Sequence, residues 1–181
     1  MEPNRRKAMN ELQRISKEEY RITTPSNLII VLDNVRSMHN VGSVFRTVDC
    51  FKGDAIYLCG VTPQPPHRDI QKTALGATDT VAWKYFETIT KAIKELKKQH
   101  YKIISIEQVH HSKTLQETEL NKNQKYAFVF GNEVTGVSDE ALCLSEQCIE
   151  IPQLGSKHSF NISVCVGIVL WQVALQLKLI K

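Results

Sequence analysis

Along the 181 residues, apolar positions follow two rhythms. Unbroken apolar runs at 28–32 (LIIVL), 55–59 (AIYLC), 103–106 (IISI) and 126–130 (YAFVF) predict strands buried on both faces. A strand with one wet face would alternate apolar and polar residues instead. A shorter strand is predicted at 81–86 and a last one at 148–151. Between them the period lengthens. Val41, Val44, Phe45, Val48 and Phe51 predict a helix over 41–52. Ile89, Ala92, Ile93 and Leu96 predict another over 88–99, with Lys91, Lys94, Lys97 and Lys98 on its wet face. Ser138 is a good N-cap for a short helix over 138–144. Residues 4–18 predict a basic helix, with Ala8, Met9, Leu12 and Ile15 on one side. TTPSN breaks it, and VTPQPPHRD (61–69) reads as a Pro-rich loop. Strands alternating with helices predict an α/β domain with a mainly parallel sheet.

The last predicted helix, 161–178, breaks the amphipathic rule. From Ile162 to Leu177 nearly every position is apolar. A helix apolar all round must be covered all round, and a sheet covers one side. Either a second copy of the chain covers the other side, which is the expected case, or this small domain wraps the helix itself. The run is too short for a membrane span and carries Gln172 and Gln176.

Composition changes this picture little. Hydrophobic residues make up 42% and charged residues 23%, the balance of an ordinary globular protein. A net charge of +4 permits a polyanionic partner. The five cysteines are odd in number and form no CxxC pair, which predicts reduced thiols and no zinc site. MEPNRRKAMNELQR has no apolar core and does not read as a signal peptide, so a cytoplasmic protein is expected.

Ligands of open α/β sheets sit beyond the carboxyl ends of the strands. Three polar islands follow predicted strands: DNVRSMHNVGSVFRT (33–47), GNEVTGVSDE (131–140) and IPQLGSKHSFNIS (151–163). None is a dinucleotide fingerprint, since the chain contains no GxG. Gly131 and Gly136 have phosphate-loop spacing, but no lysine follows. There is no GxSxG nucleophile elbow either. Arg46 lies about 140° around its helix from Val41, off the apolar face and close to a strand's carboxyl end.

The three islands together resemble the motifs of the SpoU (TrmH-like) RNA ribose methyltransferases. NVGSVFRT resembles NxGxxxRT, GNEVTGVS resembles GxExxG with a small polar residue after it, and IPQLGSKHSFNIS resembles IPxxGxxxSLNxS. All three occur in family order, and the likeness covers about residues 27–178. One departure is Phe160, where the family usually has leucine.

The resemblance implies a SPOUT-type parallel sheet flanked by helices, with a C-terminal deep trefoil knot at about 126–178. General topology rules would not have suggested the knot. It implies a domain at 26–181 behind a basic extension at 1–25, and a homodimer through the knot and last helix. It implies S-adenosylmethionine as cofactor, S-adenosylhomocysteine as product and no metal. Gly131 and Ile151 would hold the cofactor through backbone, and Ser159, Phe160 and Asn161 would line its pocket. Glu107, just past IISI, is a further cofactor candidate.

The reaction implied is methylation of a ribose 2′-hydroxyl in structured RNA, with tRNA favoured over ribosomal RNA because no separate recognition domain exists. Arg46, Asn40, Glu133 and Asn161 are the catalytic candidates. Arg36, Arg68 and Lys72, with Arg5, Arg6 and Lys7 of the extension, are candidates for phosphate contact; His67 lies beside them, and His158 sits inside the third motif. Two alternatives remain open: methylation of a base nitrogen, and a non-catalytic RNA-binding module on the same fold.

Overall fold

A computed structural model describes residues 4–12 and 14–180. Strands β1 (Leu28–Asp33), β2 (Ala55–Cys59), β3 (Ala82–Phe86), β4 (Tyr101–Ile106), β5 (Lys113–Thr114), β6 (Lys125–Phe130) and β7 (Gln147–Glu150) form one sheet. Its order is β3-β2-β1-β6-β4-β7-β5, with every pair parallel. Parallel neighbours need crossovers, and six helices supply cover: α1 (Lys17–Ile22), α2 (Met38–Cys50), α3 (Arg68–Ala74), α4 (Ile89–Lys98), α5 (Asp139–Leu144) and α6 (Ile162–Gln176).

The apolar runs divide by parity. Leu28, Ile30 and Leu32 of β1 pack into one core with Val44 and Phe45 of α2 and Val166 and Leu170 of α6. Ile29 and Val31 pack into the other, with Ile93 and Leu96 of α4 and Ala141 of α5. Central β6 does the same, sending Tyr126, Phe128 and Phe130 one way and Ala127 and Val129 the other. Edge strand β3 departs from the buried pattern: Trp83 and Tyr85 remain 37% and 38% exposed.

The N-terminal expectation is corrected. Residues 4–18 do not form one helix. A 3-10 turn spans Met9–Leu12, and α1 starts only at Lys17, where Ser16 and Glu19 form a reciprocal capping box. The buried Tyr20 anchors this segment by donating to the Gly53 carbonyl at 2.7 Å. Gly53 precedes β2, so the extension docks at the amino ends of the strands, away from the carboxyl-end loops.

Other boundaries shift for local reasons. Helix α2 begins at Met38, not 41, because the Ser37 hydroxyl accepts from the Asn40 amide at 3.2 Å and caps it. The expected loop at 61–69 turns into α3 at Arg68, capped by the His67 side chain. Its crossing with α2 is set by Gly42, where a Cβ would overlap Thr73 Oγ1 and the Ile70 carbonyl. Strand β5 and the 3-10 turn Leu115–Glu117 lie in a polar stretch that carries no periodic signal.

Helix α6 lies against α2, with Gly167 facing Thr47. Ile162, Val166, Val169, Leu170, Val173 and Ala174 are buried, each larger side chain contributing about 1.5–3 kcal/mol relative to exposure. Gln176 is not a solvated residue: its Oε1 accepts from the Leu120 amide at 3.0 Å and its Nε2 donates to the Thr118 carbonyl at 2.7 Å. On the outer side Val164, Trp171 and Leu175 stand 49%, 54% and 47% exposed. Among the described residues, no helix is long and apolar enough to cross a membrane.

Candidate active site

The segments that leave β4, β6 and β7 at their carboxyl ends meet around one cavity of about 530 Å³. Its walls are Ile106, Glu107 and Gln108 after β4; Phe130 through Gly136 after β6; and Glu150, Ile151, Gln153 and 158–162 after β7, with Cys165 of α6. The lining mixes apolar residues (Ile106, Phe130, Ile151, Phe160) with polar ones such as Asn132, Gln153 and Asn161. A polar recess of about 490 Å³ continues past Gln108 and Glu150 to Gly155 and Lys157.

The 131–136 loop folds on itself. Asn132 and Gly136 exchange backbone hydrogen bonds at 3.1 Å in both directions. The Asn132 Oδ1 accepts from the amides of Val134 and Thr135, both at 2.8 Å. This tight return explains both glycines of GNEVTG. A Cβ on Gly131 would overlap the Gly136–Val137 peptide. Gly136 has φ +71, where L side chains are strained, and a Cβ there would meet the Glu107 carboxylate.

The three motifs meet through side chains. Asn161, the N-cap of α6, donates from Nδ2 to Asn40 Oδ1 at 3.1 Å. Asn40 donates from Nδ2 to Glu133 Oε1 at 2.8 Å. The Arg36 amide donates to Glu133 Oε2 at 3.4 Å. Burial pushes the Glu133 carboxyl up, but the Asn40 amide and the backbone donors of Glu133, Arg36 and Ser37 outweigh it and hold it below the usual carboxylate range. Cys165, in the cavity wall, is the reverse case: burial, with Glu107 adding to it, pushes its thiol up to about 12.

The six cofactor candidates, Glu107, Gly131, Ile151, Ser159, Phe160 and Asn161, all line the cavity. So do His158 and the catalytic candidate Glu133. Asn40 sits behind them, joined by hydrogen bonds and outside the lining. Arg46 is not brought in. It is exposed on α2, six residues beyond Asn40 and about 9 Å along the axis. Among the described residues it has no hydrogen-bond or ion-pair partner.

Arg36, Arg68 and Lys72 are exposed outside the cavity. Arg5, Arg6 and Lys7 are exposed on the extension, where Arg5 pairs with Glu11 at 3.3 Å. Among the described residues, no group of His, Cys, Asp and Glu side chains is arranged to hold a metal ion.

Sequence reasoning missed Asp33. Its carboxylate is 1% exposed and accepts from the Ser138 amide at 2.9 Å. The signal was an acid closing an unbroken apolar run at a strand's carboxyl end. Cys165 and Gln153 were missed because nothing in their spacing marks them.

Residues 27–171 match the model of the SpoU rRNA Methylase family. The chain is 28% identical over 150 residues to a tRNA (guanosine(18)-2′-O)-methyltransferase of Escherichia coli, covering 83% of this chain and 64% of that protein. It therefore spans about two-thirds of that relative's length. A protein of the same description from Thermus thermophilus is 27% identical over 166 residues, covering 92% and 84%. An AdoMet-bound rRNA methyltransferase from Sinorhizobium meliloti shares the fold, with a TM-score of 0.77 at 20% identity over 87% of this chain and 62% of that one. With matches to all three loops and to the sheet that carries them, the chain belongs to the SpoU rRNA Methylase family.

Proposed function

We propose that this protein transfers a methyl group from S-adenosylmethionine to a ribose 2′-hydroxyl of structured RNA, tRNA first, leaving S-adenosylhomocysteine. The observation that carries this is the Asn161–Asn40–Glu133 chain, which ties the three family motifs together at the mouth of one cavity. The names of the two tRNA-modifying relatives point to the same chemistry. Ribosomal RNA is the second reading, favoured by the family's description and the S. meliloti protein's name.

The cavity suits the cofactor. Its volume lies in the range of small-molecule sites, its apolar lining residues suit a purine, and Glu107 offers carboxylate oxygens to hydroxyl groups. Bound there, S-adenosylmethionine supplies an electrophilic methyl on a sulfonium. Gly131 and Ile151 would hold it through backbone, while Ser159, Phe160 and Asn161 would line its pocket.

Arg46 is the charged partner of the target. A guanidinium is permanently protonated and cannot serve as a base. It holds the phosphate beside the target ribose and stabilises negative charge growing on the 2′-oxygen, while a substrate phosphate oxygen or a nearby group takes the proton. Asn40 orients the ribose, held by Glu133 and Asn161. Arg36, Arg68, Lys72 and the extension's Arg5, Arg6 and Lys7 contact phosphates, which position RNA without reading its sequence.

Arg46 stands outside its own cavity lining, so this reading has a second copy complete the site. The exposed Val164–Trp171–Leu175 stripe of α6 supports a homodimer. Family membership supports the trefoil knot at 126–178, the division into extension (1–25) and catalytic domain (26–181), and a cytoplasmic enzyme.

The test is transfer from tritiated S-adenosylmethionine to bulk tRNA and to ribosomal RNA, followed by nuclease and alkali digestion. Label in alkali-resistant dinucleotides from tRNA is expected. Label only in ribosomal RNA selects the second reading. Alkali-labile label indicates base methylation, and no label in any RNA supports the binding module; either overturns ribose methylation.

A further inference from the structure

The loop after β6 is held from both sides. In the sheet, β6 lies between β1 and β4. Asp33 ends β1, and Glu107 directly follows β4. Asp33 Oδ2 accepts from the Ser138 amide at 2.9 Å, and Glu107 Oε2 accepts from the Val137 amide at 2.9 Å. Two consecutive backbone donors are thus gripped by carboxylates from the two flanking strands. Each carboxylate has its other oxygen engaged: Asp33 Oδ1 accepts from Asn34 Nδ2 at 2.9 Å, and Glu107 Oε1 from the Gln108 amide at 2.9 Å. Glu107 is half-buried and faces the cavity, while Asp33 is buried and outside its lining.

We infer that Asp33 and Glu107 form a two-sided clamp that fixes the 131–138 loop, and that Asp33 is a positioning residue for methyl transfer. Asp33 touches neither the cavity nor Glu133; it acts through the loop. The clamp holds the base of a loop whose far side carries Glu133, and Glu133 sets Asn40. A carboxyl group buried with no cation beside it depends on the hydrogen bonds it accepts. Among the described residues no ion pair offsets Asp33. Leucine has nearly the same shape but offers no acceptor. At position 33 it leaves both the Ser138 N–H and the Asn34 amide without their partner. That side of the clamp then opens.

The inference rests on the ribose-methylation reading, and its test separates the two. Asp33→Leu is compared with the unaltered protein in three measurements: melting temperature, cofactor affinity by calorimetry, and transfer rate with cofactor and RNA saturating. Melting temperature and affinity are expected to stay nearly unchanged, because the lost contacts are offset by an apolar side chain in a buried position. The rate is expected to fall about tenfold or more, since displacement of a positioned group by about an ångström can cost a hundredfold. A residue that merely holds the fold together would instead lower the melting temperature and weaken cofactor binding in step with the rate.

Amide hydrogen exchange gives a readout that needs no activity. In the unaltered protein the Val137 and Ser138 amides should exchange about a hundredfold or more slower than unprotected amides. In Asp33→Leu, Ser138 should lose protection while β6 keeps it. An unprotected Ser138 in the unaltered protein overturns the clamp, even if the variant does not fold. A rate within twofold of the unaltered protein's overturns the positioning role. If the unaltered protein transfers no methyl to any RNA, the ribose reading falls and exchange alone decides the clamp.

Discussion

Asn40 and Glu133 form the most informative residue pair, because their link makes a titration visible. Glu133 is held below its ordinary value of 4.5 although burial pushes it up, and the largest counterweight is the Asn40 amide. A depressed carboxyl contributes stability that is fully present above its unfolded value and lost as pH falls through the folded one. The network should therefore be intact across the neutral range, and Glu133 should put no inflection in the pH–rate profile there. Carboxyl-carbon NMR should find Glu133 titrating below 4.5, and Asn40→Ala should move that midpoint up. An unmoved midpoint would mean the Asn40–Glu133 bond does not form in solution. The same pair explains the glutamate and asparagine of the motifs as residue types: a carboxylate accepts and cannot donate, while an amide does both and so relays the contact to Asn161.

At the scale of elements, the motif glycines separate into two kinds. Gly42 is structural. It lies where α2 meets α3, and any Cβ there would push on Thr73 and on the rigid Ile70 carbonyl. Gly42→Ala should destabilise the fold by roughly 1–3 kcal/mol, the usual cost of overpacking, seen as a lower thermal midpoint. Gly155 is the opposite case: it has no positive φ, and a Cβ would meet nothing within 4 Å. Gly155→Ala should leave the melting curve where it is, so any loss of cofactor binding would come from the ligand's approach. A melting loss in Gly155→Ala equal to that in Gly42→Ala would refute the distinction.

The same scale shows what could be read in the chain. Six of the seven strands were visible, because LIIVL or YAFVF has no other economical burial than between two helical layers. The cofactor candidates were visible too, since they follow those strands in recognisable order. Helix α3 was hidden by prolines at 63, 65 and 66, although proline ends at the loop and α3 starts just after it. The expected helix at 4–18 failed because apolar spacing alone does not form a helix; Ser16 and Glu19 supply a start signal at Lys17 instead. Asp33 stayed unread because its partner, the Ser138 amide, lies 105 residues away and leaves no trace in composition.

The whole molecule poses the question of where Arg46 acts. On one chain it is exposed on α2 and stands outside the lining of the cavity. Next to α2 lies α6, whose outer stripe of Val164, Trp171 and Leu175 is uncovered. A second copy seated on that stripe would bring another chain's loops beside Arg46, and a twofold arrangement makes the contact reciprocal. Two variants decide this. Arg46→Ala should abolish transfer while keeping cofactor affinity within a few-fold by calorimetry. Ser159→Trp should fill the cavity from an exposed position in its wall and abolish cofactor binding without touching the core. Neither homodimer should then be active. In a mixed dimer, an Arg46 that serves its own chain meets a filled cavity, and the open cavity has no arginine, so activity stays at zero. An Arg46 that serves its partner meets an open cavity, and one site of the pair is restored. Equal mixing after reversible dissociation should then recover about a quarter of all sites, because about half of the dimers are mixed and each has one working site. Recovery near that level is expected; a mixture as inactive as its components would return Arg46 to its own chain and require RNA to carry the target across.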